Sequence, residues 1–547
     1  MGTIYITPIA RVHSTFADAK SFFDEGGLSF FGEPKAPTLD NLIHDLTQGR
    51  RNLIVGEPGV GKSELLTKID DRLKAQGVAT ALIGLRQTNA LQRVDEFLAA
   101  DSKGSPKALL PDALDEVKSS NFPGVLQKIE EISAGKPDLA IFISGRWVFV
   151  HRHANSFPEY RFITISPFRE KQVRNYLNEC GYAGRDIDQL LARIMPFAQR
   201  QLVVQIPRYL AYLHKYIQDN GLQAASEVSR NDLFEYFIYN KLSLEEKKLN
   251  ATKKAIIKRV LENLALTMEI YQTNVISEDE LMTFFDDTKS ELSRAVLGDT
   301  EVFYEYSLLK VSDEDLGKVE FENTEFQEYL AAKEITRLKD VVRSTFEFAV
   351  DSRIKEIYPS WYNALTFLVD MQSDLLEPLV EFSGLRADKF KVMDEAFLTF
   401  LSRIDSRVIA TNLRRRIFKD IIAYHERTLQ WLPGELAQSM SGFFEKSLES
   451  YLKERIAEAE TESGDKRFVI LGNLAYVAGY LLESVTVMDR AYWRSRLLDY
   501  AKDKNENGVL QRRALLALQL LGDPSVIDEL PDLSDADPLI TQVFLHP

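Results

Sequence analysis

The sequence predicts an α/β core built on a parallel sheet, followed by a helical domain, a winged helix and a C-terminal α-solenoid. Up to about residue 165, short apolar runs alternate with helical patterns, and this alternation is typical of a parallel sheet flanked by helices. Beyond Pro167 the strand patterns nearly vanish, and from about residue 335 the pattern is almost wholly helical. The length of 547 residues agrees with roughly three to five domains.

The composition narrows the class of protein. Hydrophobic residues make up 45% and charged residues 27% of the chain, which are ordinary globular values and exclude the disordered and collagen-like classes. The 82 acidic and 67 basic residues give a formal charge of −15, which argues against broad binding to nucleic acid or to an anionic membrane. Cys180 is the one cysteine, so no internal disulfide can form and a reducing cytoplasm is the expected location.

The predicted core elements follow one another at short intervals. Residues 1–50 are punctuated by glycine and proline, and they predict mainly loops before a helix near Thr38–Thr47. The pattern then predicts strands at Asn52–Val55, Val78–Ile83, Ala108–Leu110, Leu139–Ser144 and Phe162–Ile165, with helices at Lys62–Ala75, Ala90–Ala99 and Phe122–Ser133.

Helices dominate the next part of the chain. They are predicted at Glu170–Cys180, Ile187–Met195, Pro207–Asp219 and Lys254–Tyr271. Ser277 and Glu280 have the spacing of a capping box. The segments Tyr304–Val311 and Lys318–Phe321 flank a polar stretch and predict a hairpin. Because helices lie on both sides of this hairpin, we expect a winged helix.

The C-terminal region has the pattern of stacked helices. Residues 508–533 resemble a HEAT-type helix–turn–helix repeat. The stretch Leu539–Leu545 is apolar, so either it packs back on the solenoid or the natural protein continues beyond Pro547. The longest apolar run, Phe468–Leu482, is too short to cross a bilayer and predicts a buried helix.

The strongest motif is GEPGVGKS at Gly56–Ser63, between a predicted strand and a predicted helix. It fits the pattern G-x-x-x-x-G-K-[ST], in which glycines permit a tight loop whose amides point at phosphate oxygens and the new helix adds its positive end. We expect Lys62 to reach the β- and γ-phosphates of a nucleotide and Ser63 to ligate Mg²⁺. The expected nucleotide-binding residues here are Gly56, Glu57, Pro58, Gly59, Val60, Gly61, Lys62, Ser63 and Glu64.

A second motif, ALLPDALDEV, begins at Ala108. Its apolar strand delivers Asp112 to the sheet edge, where a carboxylate can help to hold Mg²⁺. Asp115 and Glu116 follow three and four residues later, and either could polarise an attacking water. A solvated acidic turn is the alternative. Pro111 cannot donate to the sheet, so we expect the strand to end one residue early.

The pattern D-[small]-[apolar]-D-E of this motif resembles that of NACHT-type STAND ATPases, the group that contains animal inflammasome receptors and many bacterial antiphage proteins. Further matches follow in the family's order. IFISGR, which ends at Arg146, resembles the family's sensor strand, so Ser144 and Arg146 would face the γ-phosphate; a surface arginine is the alternative. ITISPFREKQVRNYL, from Ile163 to Leu177, resembles the family's strand, Pro-Phe turn and first helix of the helical domain.

Two later segments extend the resemblance. Pro207, within Ile-Pro-Arg, matches a proline that lies against the base and ribose in the family, although proline also starts ordinary helices. FENTEFQEYLAA, which begins at Phe321, resembles the winged-helix segment F-x-H-x-x-F-Q-E-Y-x-A-A, whose histidine touches the ADP β-phosphate. Asn323 stands at that position and carries no switchable charge, so we expect a weaker or differently built contact with ADP.

The resemblance covers roughly residues 45–335 and implies an α/β P-loop NTPase core of the AAA+/STAND type. The implied organisation is an N-terminal segment (1–50), a nucleotide-binding domain (51–168), a helical domain (169–243), a winged helix (244–335) and a helical sensor region (336–547). The implied cofactors are ATP or ADP and Mg²⁺. The implied catalytic residues are Lys62, Asp112, Asp115, Glu116 and Arg146, with Ser63 and Asp112 at the metal and Ser144, Pro207 and Asn323 at the nucleotide.

The function implied by the resemblance is an ATP-dependent signalling switch that acts as a bacterial antiphage immune sensor. Such a protein would form a homo-oligomer when it recognises a protein trigger, for example a phage protein. It would act through a separate or missing effector, since no effector domain is evident in the sequence. A STAND-type transcription regulator and an AAA+ remodelling ATPase are the alternatives. Neither nucleic acid nor a membrane is expected as a partner.

Overall fold

The chain divides into two compact units. The computed structural model describes residues 5–24, 51–56, 59–85, 90–99, 107–117, 122–136, 139–147, 150, 153–194, 203–243, 251–287, 308–311, 318–321, 323–353, 355–384, 395–485, 487–503 and 506–521. Unit 1 comprises Met1–Phe16, Pro37–Gly184 and Val203–Gln372, and unit 2 comprises Ala17–Ala36, Arg185–Leu202 and Ser373–Pro547. The domain boundaries drawn from the sequence stay predictions.

Unit 1 is built around a six-stranded sheet with the strand order β1-β6-β2-β5-β4-β3. Its strands are β1 (Ala10–His13), β2 (Arg51–Gly56), β3 (Ala79–Gly84), β4 (Lys107–Asp112), β5 (Ala140–Arg146) and β6 (Arg161–Ile165). The pairs β2–β5, β2–β6, β3–β4 and β4–β5 are parallel. The predicted parallel sheet and its five predicted strands are therefore confirmed. Leu53, Ile54 and Val55 of the central strand are fully buried, as expected for strands covered on both faces.

Three helices of this core have the predicted positions. They are α2 (Lys62–Ala75), α3 (Ala90–Ala99) and α4 (Phe122–Gly135). Helix α2 buries Leu65, Leu66, Ile69 and Leu73, which recur at helical spacing and so form one apolar stripe against the sheet.

The prediction that residues 1–50 form mainly loops misses two elements. The structure has the strand β1 and the helix α1 (Phe16–Asp24); the helix expected near Thr38–Thr47 lies outside the described residues. Strand β1 pairs antiparallel with β6, and Ala10 stands opposite Ile165. Four residues of mixed polarity give almost no periodic signal, because an edge strand is specified by its pairing partner rather than by its own pattern.

The expectation that Pro111 ends its strand early is wrong. Strand β4 continues to Asp112, where Leu85 N donates to Asp112 O at 2.9 Å. Neighbouring residues of a strand direct their amides to opposite sides. The backbone of Asp112 bonds to the β3 side, so the backbone nitrogen of Pro111 lies on the β5 side. The pairing of β4 with β5 already ends at Leu109. The proline therefore removes no hydrogen bond from the β3–β4 ladder.

The rest of unit 1 is mostly helical. Its helices are α5 (Glu170–Glu179), α7 (Pro207–Asn220), α8 (Arg230–Ser243), α9 (Ala251–Ile270), α10 (Glu278–Asp287), α11 (Thr324–Ile335), α12 (Val341–Ala349) and α13 (Tyr362–Met371). Helix α6 (Gly184–Ile194) begins at the last residue of a unit 1 segment and continues in unit 2. The short strands β10 (Val350–Asp351) and β11 (Glu356–Ile357) pair antiparallel.

A three-stranded antiparallel sheet precedes helix α11. It has the order β7-β9-β8 and is formed by β7 (Val275–Ser277), β8 (Leu309–Val311) and β9 (Lys318–Phe321). The predicted hairpin is confirmed for Leu309–Val311 and Lys318–Phe321, and β7 adds a third strand to it. Residues 304–307 of that prediction lie outside the described residues. The capping box is also confirmed, because Ser277 N donates to Glu280 Oε2 at 2.7 Å and Glu280 N donates to Ser277 Oγ at 3.1 Å. The name winged helix stays a prediction for this region.

The described part of residues 373–521 in unit 2 is mostly helical. Its helices are α14 (Leu376–Ser383), α15 (Glu395–Arg403), α16 (Thr411–Thr428), α17 (Gly434–Phe443), α18 (Lys446–Glu460), α19 (Gly464–Ser484), α20 (Arg490–Lys502) and α21 (Gly508–Leu521). Helix α19 confirms the predicted buried helix. A Cβ atom at Gly479 would lie 2.5 Å from Ala517 Cα, so α19 and α21 are in backbone contact there.

Two further predictions concern this region. Within the described ranges, no helix is long and apolar enough to span a membrane. Helix α21 matches the first helix of the predicted HEAT-type unit. The second helix of that unit and the apolar stretch Leu539–Leu545 lie outside the described residues. The solenoid stays a prediction.

Candidate functional site

The loop between β2 and α2 has the backbone that the glycine motif predicts. Gly59 has φ +75° and Gly61 has φ +98°, which only glycine adopts at little cost. A Cβ atom at Gly56 would lie 3.0 Å from Ile165 O and 3.0 Å from Val60 Cγ2. The loop is therefore tightly turned against the end of the sheet. Glu57 and Pro58 lie outside the described residues.

Lys62 starts helix α2 and turns back toward the loop, where its Nζ donates to Gly56 O at 3.0 Å. Burial lowers the pKa of Lys62 to about 8, although the nearby carboxylates of Asp115 and Asp112 act in the opposite direction. A desolvated ammonium with this pKa gains from any anion placed beside it. Ser63 and Glu64, in the same first turn, are exposed.

The end of β4 carries the first predicted acid. Ser144 Oγ donates to Asp112 Oδ1, and Ala113 N donates to Ser144 Oγ at 2.8 Å. Ala113 has φ +61°, a left-handed conformation that costs a residue with a side chain roughly 1 kcal/mol or more. The chain therefore turns sharply after Asp112, and Ser144 fixes both sides of that turn.

The sharp turn brings Asp115 against Arg146. Asp115 Oδ1 accepts from Arg146 N at 2.9 Å, and Asp115 Oδ2 lies 2.8 Å from Arg146 Nε. The Asp115 side chain is 7% exposed, so this carboxylate is engaged on both oxygens in a nearly dry site. Glu116 ends the short 3₁₀ turn that begins at Leu114, and its side chain lies outside the described residues.

Arg146 also reaches helix α11. Its Nη1 donates to Glu328 Oε1 at 3.1 Å, and Asn363 Nδ2 donates to Glu328 Oε2 at 3.1 Å. The side chain of Glu328 is 2% exposed. Burial raises the pKa of Glu328 to about 7 despite the opposing effect of Arg146. Arg146, the last residue of β5, thus joins an acid of the turn after β4 to an acid of α11.

A second contact joins α7, α11 and the phosphate loop. Pro207 is the first residue of α7. Arg208, beside it, donates through Nη1 to Asn323 Oδ1 at 2.8 Å and forms an ion pair with Glu325. Asn323 also caps α11, because its side chain accepts from Glu325 N at 3.1 Å. Asn323, which stands where the sequence comparison expects a histidine, therefore caps α11 and accepts a hydrogen bond from Arg208.

The carboxylate of Glu325 lies close to the phosphate loop. If Gly59 carried a Cβ atom, that atom would lie 2.8 Å from Ile206 Cγ2, 3.5 Å from Arg208 Cβ and 3.9 Å from Glu325 Oε2. Burial acts to raise the pKa of Glu325, but Arg208 and a hydrogen bond from Tyr209 outweigh it, so the pKa lies below its usual value. Glu325 is therefore an ionised acid beside the loop.

The structure brings most of the predicted site residues to one end of the sheet, and it adds others. Lys62, Asp112, Asp115, Ser144 and Arg146 lie together at the carboxyl ends of β4 and β5 and the start of α2. Pro207 and Asn323 belong to the neighbouring contact between α7 and α11. Sequence reasoning missed Arg208, Glu325 and Glu328, because their contacts join residues 117 and 182 apart in the chain and no local pattern indicates them.

The residues present fit a nucleotide with its magnesium ion. The loop offers glycines at positive φ and a desolvated lysine, and both suit phosphate. No group of three or more His, Cys, Asp and Glu side chains could hold a metal by itself among the described residues. Mg²⁺ is usually held by one or two carboxylates together with substrate phosphates, and Asp112 offers one such carboxylate at the end of β4.

Comparisons with known proteins find matches among solved structures. No protein-family model and no curated protein matches it. Among solved structures, it is similar to a signal transduction ATPase with numerous domains (STAND) that has a tetratricopeptide repeat sensor, from Pyrococcus horikoshii, at 12% identity over 90% of this chain and 78% of that chain, with a TM-score of 0.28. It is also similar to the RuvB Holliday junction branch migration motor of Thermotoga maritima, at 13% identity over 54% of this chain and 93% of that chain, with a TM-score of 0.23. Likenesses this distant carry no functional argument, so function has to follow from the geometry of the site.

Proposed function

We propose that this chain is a P-loop ATPase that works as a signalling switch of the STAND type. One observation carries the proposal: Arg146 contacts Asp115, in the acidic turn beside the phosphate loop, and Glu328 of α11, which lies 182 residues further along the chain. The nucleotide site and α11 therefore share one arginine. Any ligand that competes for this arginine changes the energy of the contact with α11, which is the basic requirement of a switch.

In this proposal each residue type has a task that its position supports. Lys62 and the loop amides bind the phosphates, and Ser63 with Asp112 holds the magnesium ion, which neutralises phosphate charge when bound. Asp115 holds Arg146 through both carboxylate oxygens, so Glu116 is the better candidate for orienting the attacking water. Once the Arg146 side chain has left Glu328, it stabilises the charge on the transferred phosphoryl group.

The biological role rests on the sequence resemblance. We propose a bacterial antiphage sensor that forms a homo-oligomer when a protein trigger binds, and that acts through a separate effector. A remodelling ATPase of the AAA+ type would instead hydrolyse ATP continuously as a constitutive ring. A switch is expected to turn over far more slowly than the ~10 s⁻¹ typical of enzymes, and to assemble only with its trigger.

The first experiment measures ADP and ATP binding with Mg²⁺ and ATP turnover on the full chain. Lys62→Ala should weaken binding of both nucleotides by roughly 100-fold or more, since it removes a desolvated charge from the phosphates. Lys74→Ala is the matched control, because Lys74 lies in the last turn of the same helix, away from the loop, with a side chain that is 59% exposed and pairs with Asp70 of that helix. Nucleotide binding that survives Lys62→Ala would contradict the proposal.

A second pair of variants separates the two acids. Glu116→Gln should abolish turnover while ATP still binds, if Glu116 orients the water. Asp115→Asn keeps the shape of the side chain but loses the charge that orients Arg146, so it should slow turnover only in part. The reverse pattern would assign the base to Asp115.

A further inference from the structure

Helix α13 is connected to the residues of the candidate site by side chains at both of its ends. It is mostly buried, from Tyr362 to Val369, and Phe367 lies against Tyr329 of α11 with 5.4 Å between ring centroids. It is also the last helix of unit 1, because unit 2 resumes at Ser373, two residues after its end. Its two ends belong to two separate chains of polar contacts, which we name after their first residues.

The Asn363 chain starts in the first turn of α13. Asn363 Nδ2 donates to both oxygens of Glu328, at 3.3 Å and 3.1 Å. Glu328 accepts from Arg146 at 3.1 Å, and Arg146 lies 2.8 Å from Asp115. Four side chains therefore connect α13 to the acidic turn beside the phosphate loop. Asn363 supports the ionised form of Glu328, which burial alone disfavours, and so it supports the hold on Arg146.

The Asp370 chain starts in the last turn of α13. Asp370 Oδ2 lies 3.3 Å from Arg230 Nη2, and Arg230 interacts electrostatically with Tyr209. Tyr209 donates to Glu325 Oε1 at 2.7 Å, and Glu325 pairs with Arg208. Since Glu325 lies beside Gly59, this chain ends at the phosphate loop itself. A buried charge that loses its partner is strongly destabilised, so the loss of one side chain of this chain is expected to shift the others.

We propose that α13 sets the preference of the site between ADP and ATP, with Asn363 and Asp370 as positioning residues that hold Glu328 and Glu325 on the two site arginines. This inference rests on the proposed nucleotide function. The two carboxylates neutralise Arg146 and Arg208 and repel added negative charge. ATP carries one more phosphate than ADP and needs those arginines, so the held state disfavours ATP more than ADP. A change at α13 would release the arginines.

The experiment compares the dissociation constants of ADP and of a non-hydrolysable ATP analogue, AMP-PNP, with Mg²⁺ on the full chain. Asn363→Ala and Asp370→Asn should each tighten AMP-PNP by about 5- to 10-fold, within the range of coupling between sites, and leave ADP within about 2-fold. Thr366→Val is the matched control: Thr366 is buried in the middle of α13 and bonds Tyr362 O of its own helix, so neither constant should change. Asp370→Asn keeps the side-chain shape and decides the question if Asn363→Ala fails to fold.

A double-mutant cycle tests the route. If Asn363 acts through Glu328, the effect of Asn363→Ala should vanish in a Glu328→Gln background. Additive effects in the cycle, or equal changes in ADP and AMP-PNP affinity, would overturn the proposal, because a merely structural role weakens both nucleotides together. A wild-type chain that binds neither nucleotide would overturn the proposed function instead, and with it the inference.

Discussion

Arg146 in unit 1 and Arg513 in unit 2 are both largely shielded from solvent, yet they have different partners. Arg146 lies between two carboxylates, Asp115 and Glu328. Arg513 lies between the rings of Trp431 and Tyr476, 4.6 Å and 4.7 Å from their centroids, and it donates to a side-chain amide and to a backbone carbonyl.

The difference teaches which buried charges can take part in a switch. A phosphate can replace a carboxylate as the partner of Arg146, because both are oxyanions that accept from a guanidinium. No anion can take the place of the two rings beside Arg513, since each ring attracts the guanidinium through its aromatic face and carries no net charge. We therefore expect perturbation of the first arginine to change ligand response and perturbation of the second to change stability.

The largest effect is expected for Arg513→Ala. The substitution leaves a space between the two rings and removes the donors to Asn473 Oδ1 and Leu432 O. It should lower the free energy of unfolding by about 3–5 kcal/mol, measured by denaturant unfolding with the protection of α19 and α21 followed by hydrogen exchange. Arg512→Ala, at the neighbouring half-buried position, is the control. A loss of similar size in the control would remove the contrast between the two arginines.

The next effect is pH-dependent and belongs to Glu328. Burial raises its pKa from the usual 4.5 to about 7, so the folded state binds this proton more tightly than the unfolded state does. Binding of this proton contributes its full amount to the free energy of unfolding below about pH 4.5. That contribution is lost as the pH rises through about 7. Glu328→Gln should therefore gain stability relative to the wild type between pH 5 and 8, by about 3 kcal/mol at most.

Thermal unfolding of the nucleotide-free chain at a series of pH values checks this prediction. Glu347→Gln is the matched control, because Glu347 is 53% exposed and its substitution should give no such trend. A difference between wild type and Glu328→Gln that stays constant from pH 5 to 8 would contradict the assignment of a raised pKa to this side chain.

Two glycines should respond to alanine with opposite signs. Gly479→Ala places a Cβ atom 2.5 Å from Ala517 Cα, so α19 and α21 must separate, and the cost should be about 1–3 kcal/mol. Gly124 lies in α4 with nothing within 4 Å of a built Cβ, so Gly124→Ala should be neutral or stabilising by up to about 1 kcal/mol. The denaturant midpoints of the two variants, compared at equal slope, measure both changes in stability. If Gly124→Ala is destabilising, helix propensity does not determine the stability at this position.

The smallest effect is expected for an exposed ion pair of unit 1. Arg343 and Glu347 are 75% and 53% exposed, with Nε and Oε1 2.7 Å apart. Solvent screens such a pair almost completely, so Arg343→Ala should leave the unfolding midpoint within experimental error. A clear shift would mean that exposure is a poor guide to which charge pairs of unit 1 matter.

The sequence predicted the sheet core and the phosphate loop well, because both leave local signals. Five strands are contiguous apolar runs, and helix α2 has the predicted bounds from Lys62 to Ala75. The glycines of the loop identify a backbone conformation that other residues avoid. The capping box between Ser277 and Glu280 was equally readable, since its two hydrogen bonds join residues three apart.

The acid–arginine pairs of the site could not be predicted in the same way. Glu328 and Arg146 are 182 residues apart, and Glu325 and Arg208 are 117 apart. On a helix, such acids look like ordinary solvated residues, and only tertiary packing shows that they are buried. Strand β1 was missed for a related reason, because its strand character comes from pairing with β6.

Strand β1 also has a consequence for how the chain is made. His13 Nε2 lies 3.0 Å from Thr164 Oγ1, across 151 residues. At a synthesis rate of about 5–20 residues per second, β1 leaves the ribosome about 8–30 s before its partner β6. During that interval the four-residue strand has no partner in the sheet. Removing the chain through His13 would delete β1 and leave the outer edge of β6 uncovered after release, and an uncovered edge is a template for aggregation.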